Sequence, residues 1–196
     1  MDFKTLFRIQ SNTLHPKQGN LLLSEPTMSD YYFGRSVILL IDHNEEEGSF
    51  GIIMNKSLKV KVSELVSLFE DTDIPVFLGG PVAKNQLFFM HTLGVLIPDS
   101  YKIMDGLYWG GEAETLNTLL STGIANKSNV RFYLGYSGWD AGQLYSELQR
   151  NSWLVTHTNS HTLLGIATDD MWKNYVNRMG AKYQLWTQYP ENPEDN

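Results

Sequence analysis

Ten residues constrain the fold of this chain more than any others: Gly135-Tyr136-Ser137-Gly138-Trp139-Asp140-Ala141-Gly142-Gln143-Leu144. They stand between a strand-like run, Val130 to Leu134, and an amphipathic run with Ala141, Leu144, Tyr145 and Leu148 on one face. Gly135 and Gly138 allow backbone angles that other residues resist. Asp140 suits the capping of a free helix-start amide, and Gln143 can reach back as in a capping box. The pattern predicts a strand that ends at Leu134, a sharp turn, and a helix. A helix start carries unpaired amides and a partial positive charge, which suits an anion or a carboxylate. Tyr136 and Trp139 would flank that spot.

The rest of the chain punctuates itself in the same way. Ser36 to Ile41 is a continuous apolar run rich in Val and Ile, and reads as a central strand buried on both faces. Phe50 to Met54 returns as its hairpin partner across the Glu45-Glu46-Glu47-Gly48 turn. Short strands are expected at Leu21–Leu23, Pro75–Leu78, Leu87–Met90, Val95–Ile97, Val130–Leu134, Trp153–Val155 and Leu163–Ile166. Helical spacing predicts helices at Val62–Phe69, at Ala113–Leu120 with Glu112 and Glu114 in the first turn, and at Met171–Met179, capped by Thr168 and ended by Gly180. Phe3, Leu6, Phe7 and Ile9 suggest a short helix or an extended arm before His15-Pro16. Residues 189–196, with two prolines and three acids, read as an acidic flexible tail. Hairpins mixed with helices favour a mixed sheet, an α/β (α+β) class, over a doubly wound parallel one. One domain is expected over residues 1–188.

Charge and composition exclude several functions. Fifteen Lys+Arg against 22 Asp+Glu give a net charge of −7, so direct nucleic-acid binding is disfavoured. Lys56, Lys59 and Lys61 form a local basic group that reads as a charged strand edge. With no cysteine, thiolate catalysis and Cys-ligated metals are excluded, and the chain fits a reducing, cytoplasmic setting. No apolar run reaches the roughly 20 residues of a membrane span, and the start has no signal-peptide pattern.

Catalytic patterns are incomplete. Gly135-Tyr136-Ser137 begins a nucleophile elbow, but Trp139 stands where Gly-x-Ser-x-Gly needs glycine. The hydrolase order also wants an acid and then a histidine after the serine. His157 and His161 follow, yet the acids between, Asp140 and Glu147, belong to the adjacent helix. His157 and His161 have metal-site spacing, but Thr158 replaces the glutamate of a zincin, and a polar turn is expected there. Gly79-Gly80-Pro81 lacks the Gly-Lys-Ser/Thr ending of a phosphate loop. His91 reads as a satisfied strand-end histidine. Asp42-His43, Asn55-Lys56 and Arg35 are polar groups at strand ends, where sites often form.

Taken in order, these blocks resemble the AlgH/YqgE family of bacterial proteins. The matching stretches are Gly19 to Ser24 with Pro26 and Met28, Phe33 to Leu40 with His43, Gly51 to Lys56, Phe77 to Val82, Tyr108 to Gly111, Arg131 to Leu144, Ser152 to Leu154, and Trp172 with Met179-Gly180. Ser137 departs from the alanine frequent in that family. The resemblance implies a bent mixed sheet forming a pseudo-barrel with helices packed on it, a cytosolic location and no cofactor. Family members carry a transcriptional-regulator label without an established biochemical activity. The expectation is therefore a regulator that works by binding a protein or small molecule, through Arg35, His43, Lys56, Tyr136, Gly138, Trp139 and Gln143. The alternative is a hydrolase or transferase using Ser137 or the pair His157/His161.

Overall fold

In the computed structural model, which describes residues 14–165 and 167–190, the apolar runs become ten strands of one mixed sheet. They are β1 (Leu21–Ser24), β2 (Val37–Asn44), β3 (Gly48–Ile53), β4 (Ser57–Lys61), β5 (Pro75–Leu78), β6 (Val82–His91), β7 (Tyr101–Met104), β8 (Leu107–Trp109), β9 (Val130–Trp139) and β10 (Trp153–Thr156). The helices are α1 (Ala113–Ser121), α2 (Gln143–Gln149), α3 (Ser160–Gly165), α4 (Met171–Arg178) and α5 (Gln184–Gln188). Strand order runs β10-β1-β2-β3-β9-β6-β8-β7, and β4-β5 branches off through β9. Pairing is antiparallel except between β5 and β9.

The sheet is bent rather than flat. Eight strands spaced about 4.8 Å apart would span roughly 34 Å if flat. Yet Leu154 on β10, Leu23 on β1, Ile52 on β3, Met90 on β6 and Ile103 on β7 share one buried cluster. Side chains close the gap between the two ends. The Gln18 amide donates to the carbonyls of Lys102 and Ile103 at 2.7 and 3.2 Å, and Ser160 Oγ donates to the Asp105 carbonyl at 2.9 Å. Burial and the neighbouring Asp42 carboxylate push the Tyr101 phenol up at the same seam. Trp172, Tyr175, Val176 and Trp186 of α4 and α5 fill the open end. The expected pseudo-barrel is the fold observed. Its outer surfaces are covered too, by α1 and the turns around Val62 and Phe69 over β5, β6 and β9, and by α2 over β1 to β3. Val37 to Ile41 is fully buried, as its two-sided apolar run requires. The lysine-bearing β4 pairs with β5 alone, so it is an edge.

Several elements differ from expectation. Residues Val62–Phe69 form two short 3-10 turns instead of a helix; Glu64 holds the Lys61 amide at 2.9 Å, and Leu65 is exposed. Gly94–Leu96 is a 3-10 turn rather than a strand, and leaves Val95 in solvent. Leu163-Leu164 lies in α3, started by Asn159, whose side chain accepts the Thr162 amide at 2.8 Å. Thr168 offers its backbone carbonyl, not its hydroxyl, to the start of α4. The segments expected as an N-terminal arm and an acidic tail lie, over residues 1–13 and 191–196, outside the described residues.

Candidate functional site

The turn expected after Leu134 does not occur there. β9 runs on through Trp139, and Gly135 (φ +69°) bends it without ending it. The bend lets two chain segments cross at backbone contact. A Cβ on Gly79 would sit 2.1 Å from the Gly135 carbonyl oxygen, and one on Gly80 2.3 Å from that of Tyr136. These glycines thus serve a crossing, not a phosphate loop. Before the bend β9 lies between β5 and β6; after it, Ser137 to Trp139 pair with β3. β6 shifts register between Val82 and Leu87, where it bulges against β9. A cleft of about 680 Å³ is lined there by residues of the β2–β3 hairpin, β6, β8 and the end of β9.

Ser137 is fully buried inside this ladder, and its hydroxyl donates to the Gly79 carbonyl at 3.1 Å. A serine so placed cannot meet a substrate, which removes the elbow reading. The strand turns into α2 only at Asp140–Gly142. Gln143 reaches back to the Asp140 amide at 3.0 Å, as a capping box requires, but the Asp140 side chain makes no cap, and Gly142 (φ 71°) holds that position. The charge around the helix start is negative: Asp42, Glu47 and Asp140 line the cleft, and no lysine or arginine does. The anion or carboxylate that a helix start would suit meets a negative lining here.

Tyr136, Gly138, Trp139 and Gln143 all line the cleft. Trp139 is a buried wall residue. Its indole donates to Glu147 at 2.9 Å, Trp153 donates to the same carboxylate oxygen at 2.6 Å, and Gln143 donates to the other at 2.9 Å. Glu147 is therefore the positioning residue of this corner. Its spacing of four from Gln143 on one helix face was the available signal. His43 lies in a neighbouring depression of about 340 Å³ and contacts Ser49 at 2.6 Å. Ser49 lines both spaces. Arg35 and Lys56 belong to a third depression, of about 330 Å³. The seven candidates thus divide into three places.

Three further rings in the cleft, Phe50, Phe88 and Trp109, come from β3, β6 and β8 and escaped sequence reading. Phe50, Trp109, Phe88 and Tyr136 form a closed circuit of ring contacts, with successive centroids 6.1, 5.4, 6.0 and 5.9 Å apart. All four are half-buried.

The histidines are placed elsewhere. His91 is buried; Nδ1 accepts the Leu93 amide at 3.2 Å, so the proton sits on Nε2, facing Ser100 Oγ at 2.9 Å and the Gly110 carbonyl at 3.1 Å. Burial lowers its pKa, with the Gly110 carbonyl acting in the opposite sense. His157 Nδ1 meets the Asn20 amide at 2.9 Å, while His161 is exposed on α3. No group of three His, Asp or Glu among the described residues is placed to hold a metal.

Comparison with known proteins bears on the whole chain. Residues 21–184 match the family described as AlgH-like. The chain belongs to the AlgH-like family. A UPF0301 protein of Parabacteroides distasonis is 43% identical over 97% of both chains, and one of Bacteroides thetaiotaomicron is 42% identical over 97% of both. The solution structure of the AlgH protein from Pseudomonas aeruginosa shares the fold, with a TM-score of 0.69 and 23% identity over 89% of this chain and 95% of that one. A crystal structure from Corynebacterium diphtheriae has a TM-score of 0.72 at 21% identity, covering 90% and 94%. No helix among the described residues is long and apolar enough to cross a membrane.

Proposed function

We propose that this AlgH-like protein is a cytoplasmic binding protein that regulates by engaging a ligand or protein through the β9 cleft, without catalysis. The observation that carries this reading is the convergence of four half-buried rings and three carboxylates on one open cleft. Such apolar concavity with a few placed polar groups is what binding sites share. The buried state of Ser137 and the separation of His157 from the cleft argue against the hydrolase alternative. The net charge of −7 opposes a direct nucleic-acid partner.

Gly138 offers the test. It is exposed, its φ is not in the left-handed region, and a Cβ there lies 3.3 Å from the Tyr136 ring, inside the cleft. Gly138→Leu should fill the cleft with little loss of fold. The molecules that copurify with the parent protein should be absent from the variant, with an unchanged urea midpoint. Retention of every one of them by a folded Gly138→Leu protein would place the site elsewhere.

A further inference from the structure

Rings and cations elsewhere in this molecule find each other. Arg35 lies over Trp172, Lys84 over Tyr32, Arg131 over Phe77, Arg178 over Tyr175 and Lys182 over Tyr183. The cleft rings are different. Among the described residues none of Phe50, Phe88, Trp109 and Tyr136 has a cation of this chain over its face. Lys84, on the same strand as Val82 and Phe88, turns to Tyr32, with Nζ 5.7 Å from that ring and 3.3 Å from its hydroxyl. The carboxylates of the cleft likewise face no cation of this chain among the described residues. Asp42, Glu47 and Asp140 are exposed around its rim, and among the described residues none is in an ion pair.

We infer that the occupant of the cleft is an organic cation, an ammonium or guanidinium group on an apolar stem, a reading that rests on the cleft being the binding site. The face of an aromatic ring carries negative potential and attracts a cation within roughly 6 Å of its centroid. All four rings line the cleft, and a cation there meets the faces left outside the Phe88–Trp109 stack. The rim carboxylates supply long-range attraction and an ionic partner at the cleft mouth. An anion meets the opposite field, and a neutral group of equal size uses only the apolar wall. A free diamine and a lysine side chain present the same chemistry.

The test follows the Trp109 indole and Gly138 amide signals of the full-length protein by NMR during titration with four probes. These are 1,5-diaminopentane, a blocked Gly-Gly-Lys-Gly-Gly peptide, the same peptide with norleucine, and the same peptide with glutamate. The expected result is saturable movement of both signals with the diamine or the lysine peptide, at least tenfold tighter than with norleucine, and no saturation with glutamate. The tighter of the two cations identifies the source, free amine or protein side chain. Asp42→Asn combined with Asp140→Asn should weaken that binding at least tenfold, and added salt should weaken it further. Phe88→Leu, which stays apolar and removes a ring, should weaken it in a protein that still unfolds in a single urea transition. Equal binding of norleucine and lysine peptides, or preference for glutamate, would overturn the cationic occupant while leaving the cleft as the site. Failure of all four probes to move either signal would also overturn it. The cleft itself stands or falls separately, by the Gly138→Leu comparison.

Discussion

At the Arg35 depression the chain's own rings and charges are joined; in the β9 cleft they stand apart. Arg35 stacks its guanidinium 5.1 Å from the centre of Trp172 and donates to the Tyr189 carbonyl. Lys56 donates to the Tyr31 carbonyl at 2.9 Å, with the Asp30 carboxylate near enough to act on its charge. Burial lowers the pKa of Lys56, and Asp30 draws it back up. The cleft holds four rings and three acids without a matching cation. The same residue types thus close a corner of the fold in one region and leave an unmatched field in the other. Polar strand-end residues such as Arg35 and Lys56 resemble site residues in sequence, and only their partners distinguish the two uses.

The largest effect should come from the frame that opens the cleft. Gly79→Ala places a Cβ 2.1 Å from the Gly135 carbonyl oxygen, where both partners are backbone inside a sheet. The crossing must break, at a cost of about 4 kcal/mol, read as a lowered urea midpoint. At the Arg35 side, Gly34→Ala meets loop carbonyls of Met28 and Asp30 at 2.9 and 3.0 Å, which a surface loop relieves by a small shift, so about 1 kcal/mol is expected. Equal costs would mean that the two regions are held with the same rigidity.

Next in size is Arg35→Gln. It removes a stacked cation and a charge-assisted hydrogen bond, and should cost about 2 kcal/mol of stability. Binding in the cleft should not change, as measured by the same indole and amide signals. A loss of cleft binding with stability intact would reverse the roles assigned to the two regions.

Acid should separate the regions as well. His91 is neutral in the folded protein because burial holds its pKa below the ordinary 6.5. A depressed histidine binds fewer protons folded than unfolded in that interval. Its contribution to stability is therefore complete above pH 6.5 and is lost as pH falls through that value toward the folded pKa. Protonation sets a second N–H against the Leu93 amide, and the partner of Nε2 is the carbonyl of Gly110, next to Trp109. Amide exchange near Leu93 and Gly110 should quicken at mildly acid pH before exchange near Arg35 does. Uniform quickening would show that His91 does not act on the cleft wall in particular.

How much of this was legible beforehand depends on how far apart the partners lie in the chain. Val37–Ile41 could be read as a buried strand because both of its faces are apolar. Leu163-Leu164 could not be assigned by the same test, since a short apolar run suits a buried helix equally; Asn159 as helix cap was the deciding signal. The bend at Gly135 was visible as glycine, but its cause, the crossing by Gly79 and Gly80, joins residues more than fifty positions apart. Tyr136 and Gln143 were legible as cleft residues because they lie within one local stretch. Phe50, Phe88 and Trp109 reach the cleft only through the register of β3, β6 and β8, which no local pattern encodes. The negative lining was not legible for the same reason: the helix start is local, while Asp42 and Glu47 arrive from the β2–β3 hairpin.

The smallest effect on stability is the sharpest test of the comparison. Asp42 and Asp140 are exposed and face no cation among the described residues, and an asparagine at position 42 still accepts from the Tyr101 hydroxyl, so Asp42→Asn with Asp140→Asn should change the unfolding free energy by less than about 0.5 kcal/mol. The sign expected is slightly stabilising, because two like charges leave a rim that keeps Glu47. Cation binding should nevertheless fall at least tenfold in the same protein. A residue that matters to binding and not to folding is the opposite of Arg35, and the pair of measurements places each residue on its side. If the double variant instead lost as much stability as Arg35→Gln, the carboxylates would be holding the β2–β3 hairpin to the start of α2. The cleft would then be a second self-satisfied corner of the fold, and its four rings would be packing alone.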